Sequence, residues 1–459
     1  MPIPDAALSE LREILGDRLS TSTADREQHG GSETFHRAPP PDAVAWPLTT
    51  ADVSAVLRVC NAHGVPVIGW GAGTSLEGHA LAVRGGVTLD LTRMDRVLEV
   101  RPGDMLAVVQ PGVTREALNT ELRATGLMFP IDPGANATIG GMAATRASGT
   151  TAVRYGTMRP NVLALEVVLA DGRIIRTGSR AAKASNGYDL TGLMIGSEGT
   201  LGIITELTLR LHGQPEEVAA GVCAFPTLED AVECVAMTMQ AGIKMGRIEF
   251  MDPMAMKAVN QHLGSDYPEV PHLMVEFTGS PESVRADAEG FGALAEECHG
   301  QGFRWATTQE ERSKLWAARH QSYWAALKLR PGATGVVTDV CVPMTELPAQ
   351  VAAAAADMEA AGLIGDIVGH VGDGNFHTLL LVDPDSPEEI ANAKAAATRM
   401  AERALAVGGT ISGEHGIGIG KRSLMAAEHG EGWQVMATIK RALDPNNILN
   451  PGKLVPDLN

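Results

Sequence analysis

An α+β fold divided into more than one unit follows from two patterns in the sequence. Up to about residue 214, short apolar stretches alternate with glycine-rich turns and capped helices; beyond Gly213-Gln214-Pro215 strands alternate with alanine-rich helices. The length of 459 residues adds a third constraint, since it suits two to three domain-sized units with ample core.

The elements follow in order. Residues 1–17 read as a short amphipathic helix with acidic residues, and a polar loop continues to residue 35. Residues 48–63 form a capped helix followed by a strand at 65–68. Similar units recur at 87–91 and 106–109 and in the helix 114–125, and two long strands cover 162–169 and 202–211. In the middle region strands are expected at 219–225, 246–250, 273–278 and 336–342, with helices at 307–329 and 350–361. After Ser412 the chain is glycine-rich again, closing with Asp444-Pro445-Asn446-Asn447 and Asn450-Pro451-Gly452-Lys453.

Hydrophobic residues make up 44% and charged residues 20%, the profile of a globular α/β enzyme. A formal net charge of −18 argues against nucleic acid as a partner, because phosphate binding needs a cationic surface. An anionic small substrate is still allowed, since a few buried cations can set the potential of a pocket. Cys60, Cys223, Cys234, Cys298 and Cys341 are scattered, with no Cys-x-x-Cys, which excludes a c-type haem motif and argues against an iron–sulfur cluster. They suit a reducing cytosol. The first seventeen residues match neither a secretory signal nor a transit peptide, and no apolar run is long enough to span a bilayer. A cytoplasmic protein is therefore expected, with loose docking on a membrane allowed; a homodimer is compatible with the sequence.

Three glycine-rich segments dominate the first half: residues 69–78, residues 131–149 and Gly196-Ser197-Glu198-Gly199-Thr200-Leu201-Gly202. A dinucleotide fold would place Gly-x-Gly-x-x-Gly at the opening of a helix. Here Gly71-Ala72-Gly73-Thr74-Ser75 leads into no helical pattern, so that reading is weak. Consecutive Gly, Ser and Thr still present backbone N–H groups and hydroxyls to an anion without obstruction. Each segment alone also reads as a plain tight turn; three together point to a cofactor.

The sharpest constellation is Gly369-His370-Val371-Gly372-Asp373-Gly374-Asn375-Phe376-His377. A hairpin centred on Asp373-Gly374 pairs Gly372 with Asn375, Val371 with Phe376 and His370 with His377. Two imidazoles so opposed can share a metal ion. Ser412-Gly413-Glu414-His415-Gly416 adds a carboxylate and a third imidazole. Two His and one Glu make a typical set for a catalytic metal with open positions. Two unrelated histidines remain the plain alternative.

These residues resemble a known family. Gly71 to Leu76, Asp132-Pro133-Gly134 to Gly140-Gly141-Met142, Tyr188-Asp189-Leu190-Thr191 with Gly196 to Gly202, Leu315 to His320, Thr338 to Pro343, His370 to His377, Gly413 to Lys421 and Asn450 to Lys453 carry the likeness. Along essentially its whole length the chain resembles the FAD-linked oxidases of the vanillyl-alcohol-oxidase type, and within them the cytochrome-type D-lactate dehydrogenase branch.

The resemblance implies a FAD-binding domain of two α+β subdomains over 1–214, an α+β cap domain with an antiparallel sheet flanked by helices over 215–411, and a C-terminal segment 412–459 returning to the FAD domain. It assigns non-covalent FAD to Gly71, Ala72, Gly73, Thr74, Ser75, Pro133, Gly134, Thr138, Gly140, Gly141, Ser148, Gly149, Tyr155, Glu198, Gly199, Gly202, Ile204 and Asn450. Its metal ligands fall on His370, His377 and Glu414, its general base on His415 and its substrate-carboxylate arginine on Arg319. The metal expected is zinc or manganese, with iron a third option. Non-covalent attachment follows because residues 69–78 lack the His or Cys of covalent relatives. Arg146 departs from the small or amide residue more common in similar sequences.

The expected reaction is oxidation of a small D-2-hydroxy acid, D-lactate foremost, to the 2-keto acid. Electrons would leave to an external acceptor such as a cytochrome or quinone. Glycolate and D-2-hydroxyglutarate are alternatives, the dicarboxylate disfavoured by Val336-Val337-Thr338 and Leu379. A flavin-carrying subunit of a larger electron-transfer complex, or a metal hydrolase without flavin, would be readings of another class. Without the resemblance, Arg319 reads as a helix-surface residue paired with Glu310 or Glu311. Glu249 in Arg247-Ile248-Glu249-Phe250 reads equally as a pocket residue or a strand-edge charge.

Overall fold

The computed structural model describes residues 2–458. The chain divides into two compact units. One comprises Met1–Ser148, Gly156–Gln214 and Glu414–Asn459, the other Gly149–Tyr155 and Pro215–Gly413. The excursion Gly149–Tyr155 differs from the contiguous division expected from sequence: it places Gly149 and Tyr155, both expected at the cofactor, in the second unit.

In the first unit, helix Thr50–His63 starts two residues later than expected because Thr49 stays extended as its cap. Thr49 Oγ1 accepts from Asp52 N and the Asp52 carboxylate accepts from Thr49 N, a reciprocal arrangement that satisfies two otherwise unpaired donors. The helix buries Val53, Val56, Leu57 and Cys60 in a core shared with Leu11, Val67, Val87 and Leu89. The sheet beneath it has the order Leu19–Ser20, Ala43–Ala45, Val87–Asp90, Val67–Trp70, parallel except for its first pair. A second, antiparallel sheet runs Val97–Arg101, Leu106–Val109, Ile203–Arg210, Val162–Val168, Ile174–Gly178. Helix Ile139–Thr145 packs on this sheet through Ile139, Met142 and Ala143.

The C-terminal stretch completes this unit. Val67 N donates to Ile448 O at 2.7 Å and Asn450 N to Val67 O at 2.8 Å, so the tail pairs with the edge of the parallel sheet. In helix Glu431–Leu443, Lys440 is 1% exposed; its ammonium pairs with Asp444 and donates to Thr200 O at 2.8 Å and Leu449 O at 2.7 Å.

The second unit is built on an eight-stranded antiparallel sheet. Its path is Gln301–Ala306, Glu217–Ala224, His272–Gly279, Met245–Met251, Ile364–Gly369, Asn375–Val382, Thr334–Val337, with Val340–Cys341 also pairing to Asn375–Val382. The single strand expected at 336–342 is therefore broken, with Asp339 in the break and its carboxylate accepting from Asn375 Nδ2 at 2.8 Å. The expected helix 307–329 splits into Gln309–His320 and Ser322–Leu327, where Ser322 Oγ donates to Arg319 O at 2.8 Å. No helix among the described residues is long and apolar enough to cross a membrane.

Replacing Lys440 by Met leaves Asp444 buried beside no cation and should cost about 3–5 kcal/mol. The readout is a lower denaturation midpoint. Adding Asp444→Asn should recover part of the loss, because it removes the buried charge, while its single amide oxygen keeps one of the two N–H groups, Ile448 N at 3.0 Å and Leu449 N at 2.8 Å, that the two carboxylate oxygens accept separately.

Candidate functional site

In the first unit the three glycine segments meet through their backbones. Gly196 N donates to Ala143 O and Glu198 N to Ala144 O, both at 2.9 Å, tying the third segment to the helix of the second. Thr138 ties the second to the first: a Cβ on Gly71 would lie 2.3 Å from its Oγ1. Glycine is needed at Gly73, Gly140 and Gly202 for the same kind of reason, since a Cβ would strike Trp70, Pro111 and Val167. Those glycines serve close packing within the protein. Gly134 and Gly199 differ, having open space where a side chain would stand, and Gly199 holds a left-handed φ of 69°.

The remaining expected cofactor residues divide similarly. Ala72 is exposed, Thr74, Ser75 and Pro133 half-buried, and Ser148 buried. Ile204 is a strand residue of the hydrophobic core. Glu198, expected at the cofactor, has its carboxylate committed within the protein. It accepts from Ile417 N at 2.7 Å and Gly418 N at 2.9 Å and lies 3.2 Å from His79 Nε2. Burial alone would raise this carboxyl, but His79 and the two N–H donors outweigh it and hold it below its ordinary value. Asn450 donates from Nδ2 to His79 O at 3.1 Å and Glu198 O at 2.7 Å, and accepts from Lys453 Nζ at 2.5 Å.

Glu77, His79, Lys421 and Lys453 were assigned no role from sequence. Glu77 lies 3.4 Å from Lys421 Nζ and 3.7 Å from His36 Nε2, and its backbone oxygen accepts from Ile419 N at 2.8 Å. Gly416, Gly418 and Gly420 let residues 414–421 run directly against His79 and Glu77. His415 belongs to this segment, 3.9 Å from Glu414 through Nε2. Arg146 takes a left-handed φ of 56° and donates to Ile195 O at 3.1 Å.

In the second unit, His370 and His377 come together by a different route from the one expected. The ladder pairs Val368 with His377, so His370 stands beyond the strand end and not opposite His377. A one-turn 3-10 helix, Val371–Asp373, replaces the two-residue turn and closes on Gly374 at φ 79°. A Cβ there would lie 2.1 Å from Val342 O, which holds the turn to the neighbouring strand. The two rings nevertheless sit 5.3 Å apart at 78°, with ring nitrogens within 4.8 Å.

Buried acids surround them. Glu249, 0% exposed, accepts from His370 Nδ1 at 2.7 and 2.9 Å and from Arg319 Nε at 2.8 Å. Arg319 thus pairs with a buried strand residue and not with Glu310 or Glu311 on its own helix. Asp339 lies 3.5 Å from His377 Nδ1 and accepts from Ser412 Oγ at 2.7 Å. Asp366 faces Leu379 in the ladder; burial and Asp252 push its carboxyl well above the usual range, against the pull of Arg319. The sequence left Glu249 open between pocket and strand edge and gave Asp339 and Asp366 no role, because burial of a charge depends on partners far along the chain.

Asp252 caps helix Pro253–Leu263 and burial pushes its carboxyl from 3.8 up to about 7. The folded state therefore holds a proton that the unfolded chain releases, and stability falls as pH rises through that window. Asn also caps but has no such proton. The melting temperature of Asp252→Asn relative to the unaltered protein should accordingly rise between pH 4 and pH 7. Gly134→Leu, whose Cβ meets no protein atom within 4 Å, should leave apo stability within about 0.5 kcal/mol but weaken FAD retention; full flavin content after gel filtration would remove Gly134 from the cradle.

A family described as "FAD linked oxidases, C-terminal domain" matches residues 214–454, and one described as "FAD binding domain" matches residues 41–178. A protein named probable D-lactate dehydrogenase, mitochondrial, from Danio rerio is 46% identical, covering 98% of this chain and 92% of its own. One named D-lactate dehydrogenase [cytochrome], mitochondrial, from Arabidopsis thaliana is 43% identical, covering 99% and 81%. Among solved structures, p-cresol methylhydroxylase with substrate bound superposes with a TM-score of 0.79 at 21% identity, covering 98% of this chain and 96% of that one. The relatives overturn the expectation of a cytoplasmic protein, since both are named as mitochondrial. Free cysteines suit any reducing compartment, so cysteine usage could not separate the two. The second half of the chain matching one family description and the first half the other, this protein belongs to the FAD-linked oxidases and has the α+β fold of the vanillyl-alcohol-oxidase type.

Proposed function

We propose that the protein oxidises a small D-2-hydroxy acid, D-lactate foremost, to the 2-keto acid. The observation that carries this reading is that buried Glu249 holds both His370, whose ring stands 5.3 Å from that of His377, and the half-buried Arg319, in a chain similar to proteins named D-lactate dehydrogenase. The open backbone at Gly134 and Gly199 fits non-covalent FAD. His370 and His377 offer imidazole nitrogens to a divalent ion, zinc or manganese, and iron by the same donor chemistry. Glu414 is the proposed third ligand. It follows Gly413, which packs on Asn375 and Asp339, by one Cα step of about 3.8 Å.

Arg319 binds the substrate carboxylate, to which its planar fork is suited. His415 takes the hydroxyl proton, as an imidazole near neutrality can. When bound, FAD supplies the two-electron acceptor for the Cα hydride, and a divalent ion acidifies the hydroxyl. Leu379, 6% exposed, pairs with Val337 and belongs to an apolar cluster with Ala326 and Leu381. It shares a strand face with His377, two residues away. That wall favours a short aliphatic acid over a second carboxylate. Electrons then pass to an external carrier; a cytochrome is the acceptor that the name of the Arabidopsis relative suggests.

The test is anaerobic titration of the purified yellow protein with D-lactate, then L-lactate, each with and without a chelator. Bleaching by the D-isomer alone, abolished by chelator and restored by metal, is expected. Bleaching by glycolate or D-2-hydroxyglutarate instead would move the substrate, and chelator-independent bleaching would remove the metal from the chemistry. His415→Gln should retain FAD and slow flavin reduction by about 10²–10⁴-fold; unchanged reduction would remove His415 as the base.

A further inference from the structure

The Glu249 carboxylate hydrogen-bonds both a proposed metal ligand and the proposed substrate arginine. It stands on strand Met245–Met251, whose only ladder pairs with strand Ile364–Gly369 are Phe250 with Gly369 and Met251 with Val368. That short join sets Glu249 beside His370, the residue after Gly369. From there Oε1 and Oε2 both accept from His370 Nδ1, at 2.7 and 2.9 Å, and Oε2 also accepts from Arg319 Nε at 2.8 Å.

We propose that Glu249 is a positioning residue that orients His370 for metal and Arg319 for substrate at once. The inference rests on the functional reading above. An imidazole whose Nδ1–H is held by a carboxylate must present the Nε2 lone pair, the form a metal requires. A guanidinium held through Nε keeps its two terminal nitrogens for a second, bidentate carboxylate. Ser322 steadies the same arginine, accepting from Nη1 at 3.4 Å while donating to its backbone oxygen. With 0% exposure, Glu249 has no water to replace either partner. Losing its charge therefore disturbs two ligand sites together.

Glu249→Gln keeps the shape but offers one amide oxygen to two donors and turns an NH2 group towards one of them. The FAD-loaded variant should bind Mn2+ about 10–100-fold more weakly, read without substrate from the free-ion electron paramagnetic resonance signal. KM for D-lactate should rise about tenfold or more, with flavin content and melting temperature showing that the fold persists. Glu249→Asp, one methylene short, should lose both in the same direction and carries the test if the Gln variant does not fold. Wild-type Mn2+ affinity and KM in a folded variant would overturn the proposal. His370→Ala and Arg319→Lys are measured alongside. If they too leave Mn2+ binding and KM unchanged, the underlying site assignment fails; if they lose them and Glu249→Gln does not, only the positioning role fails.

Discussion

A buried carboxylate receiving two backbone N–H groups is the interaction on which the first unit depends. Glu198 reaches the unit's last segment at Ile417 and Gly418, and its own backbone oxygen receives Asn450. Three portions of chain far apart in sequence are joined at that residue. The glycines of 414–421 follow from it: a segment held that closely by Glu198, Glu77 and His79 has no room for side chains at alternate positions. Lys440 with Asp444 repeats the principle nearby, one buried charge pair ordering a loop end. Such pairs add little net stability but strongly disfavour other arrangements, because either charge alone in the interior is costly.

The second unit uses charge in another way. A large antiparallel sheet would ordinarily bury apolar side chains on a face covered by helices, and much of this one does. Arg247, Glu249 and Met251 alternate to one side of their strand, as do Asp366 and Val368 on the next, so acids and a base share that side with apolar neighbours. The first two are answered by partners, Arg247 by Glu276 and Glu249 by Arg319 and His370, while burial and the neighbouring Asp252 push the Asp366 carboxyl well above its ordinary range. Charged groups placed at that cost in an apolar layer fit the site proposed above, since perturbed groups cluster at functional positions.

What could be read in advance tracks how local its cause is. Helix Thr50–His63 and the strand Leu106–Val109 are set by neighbouring residues, and their bounds were legible to within two residues. The glycine segments were legible as special backbone, but sequence could not separate Gly140, pressed on Pro111, from Gly134, open above its Cα. The motif His370 to His377 announced two imidazoles near each other. Its Asp-Gly turn signal gave the wrong register: the ladder pairs Val368 with His377, and Gly374 is held by Val342, far upstream of the turn. Glu249, Asp339 and Arg319 were ambiguous for one reason: whether a charged residue points inward is decided by a partner far along the chain, such as His370 for Glu249. The short excursion Gly149–Tyr155 has no compositional mark at all.

The discontinuity of the first unit also orders events during synthesis. Its opening segments leave the ribosome about 200 residues ahead of the segment that receives Glu198. At about 5–20 residues per second, they wait on the order of 10–40 s for it. During that interval the edge at Val67, later paired with Ile448 and Asn450, has no strand beside it. The intervening unit, complete by Gly413, can fold first. A nascent chain of this protein thus carries an open β edge until Ile448 and Asn450 arrive, an edge able to pair with another chain in the meantime.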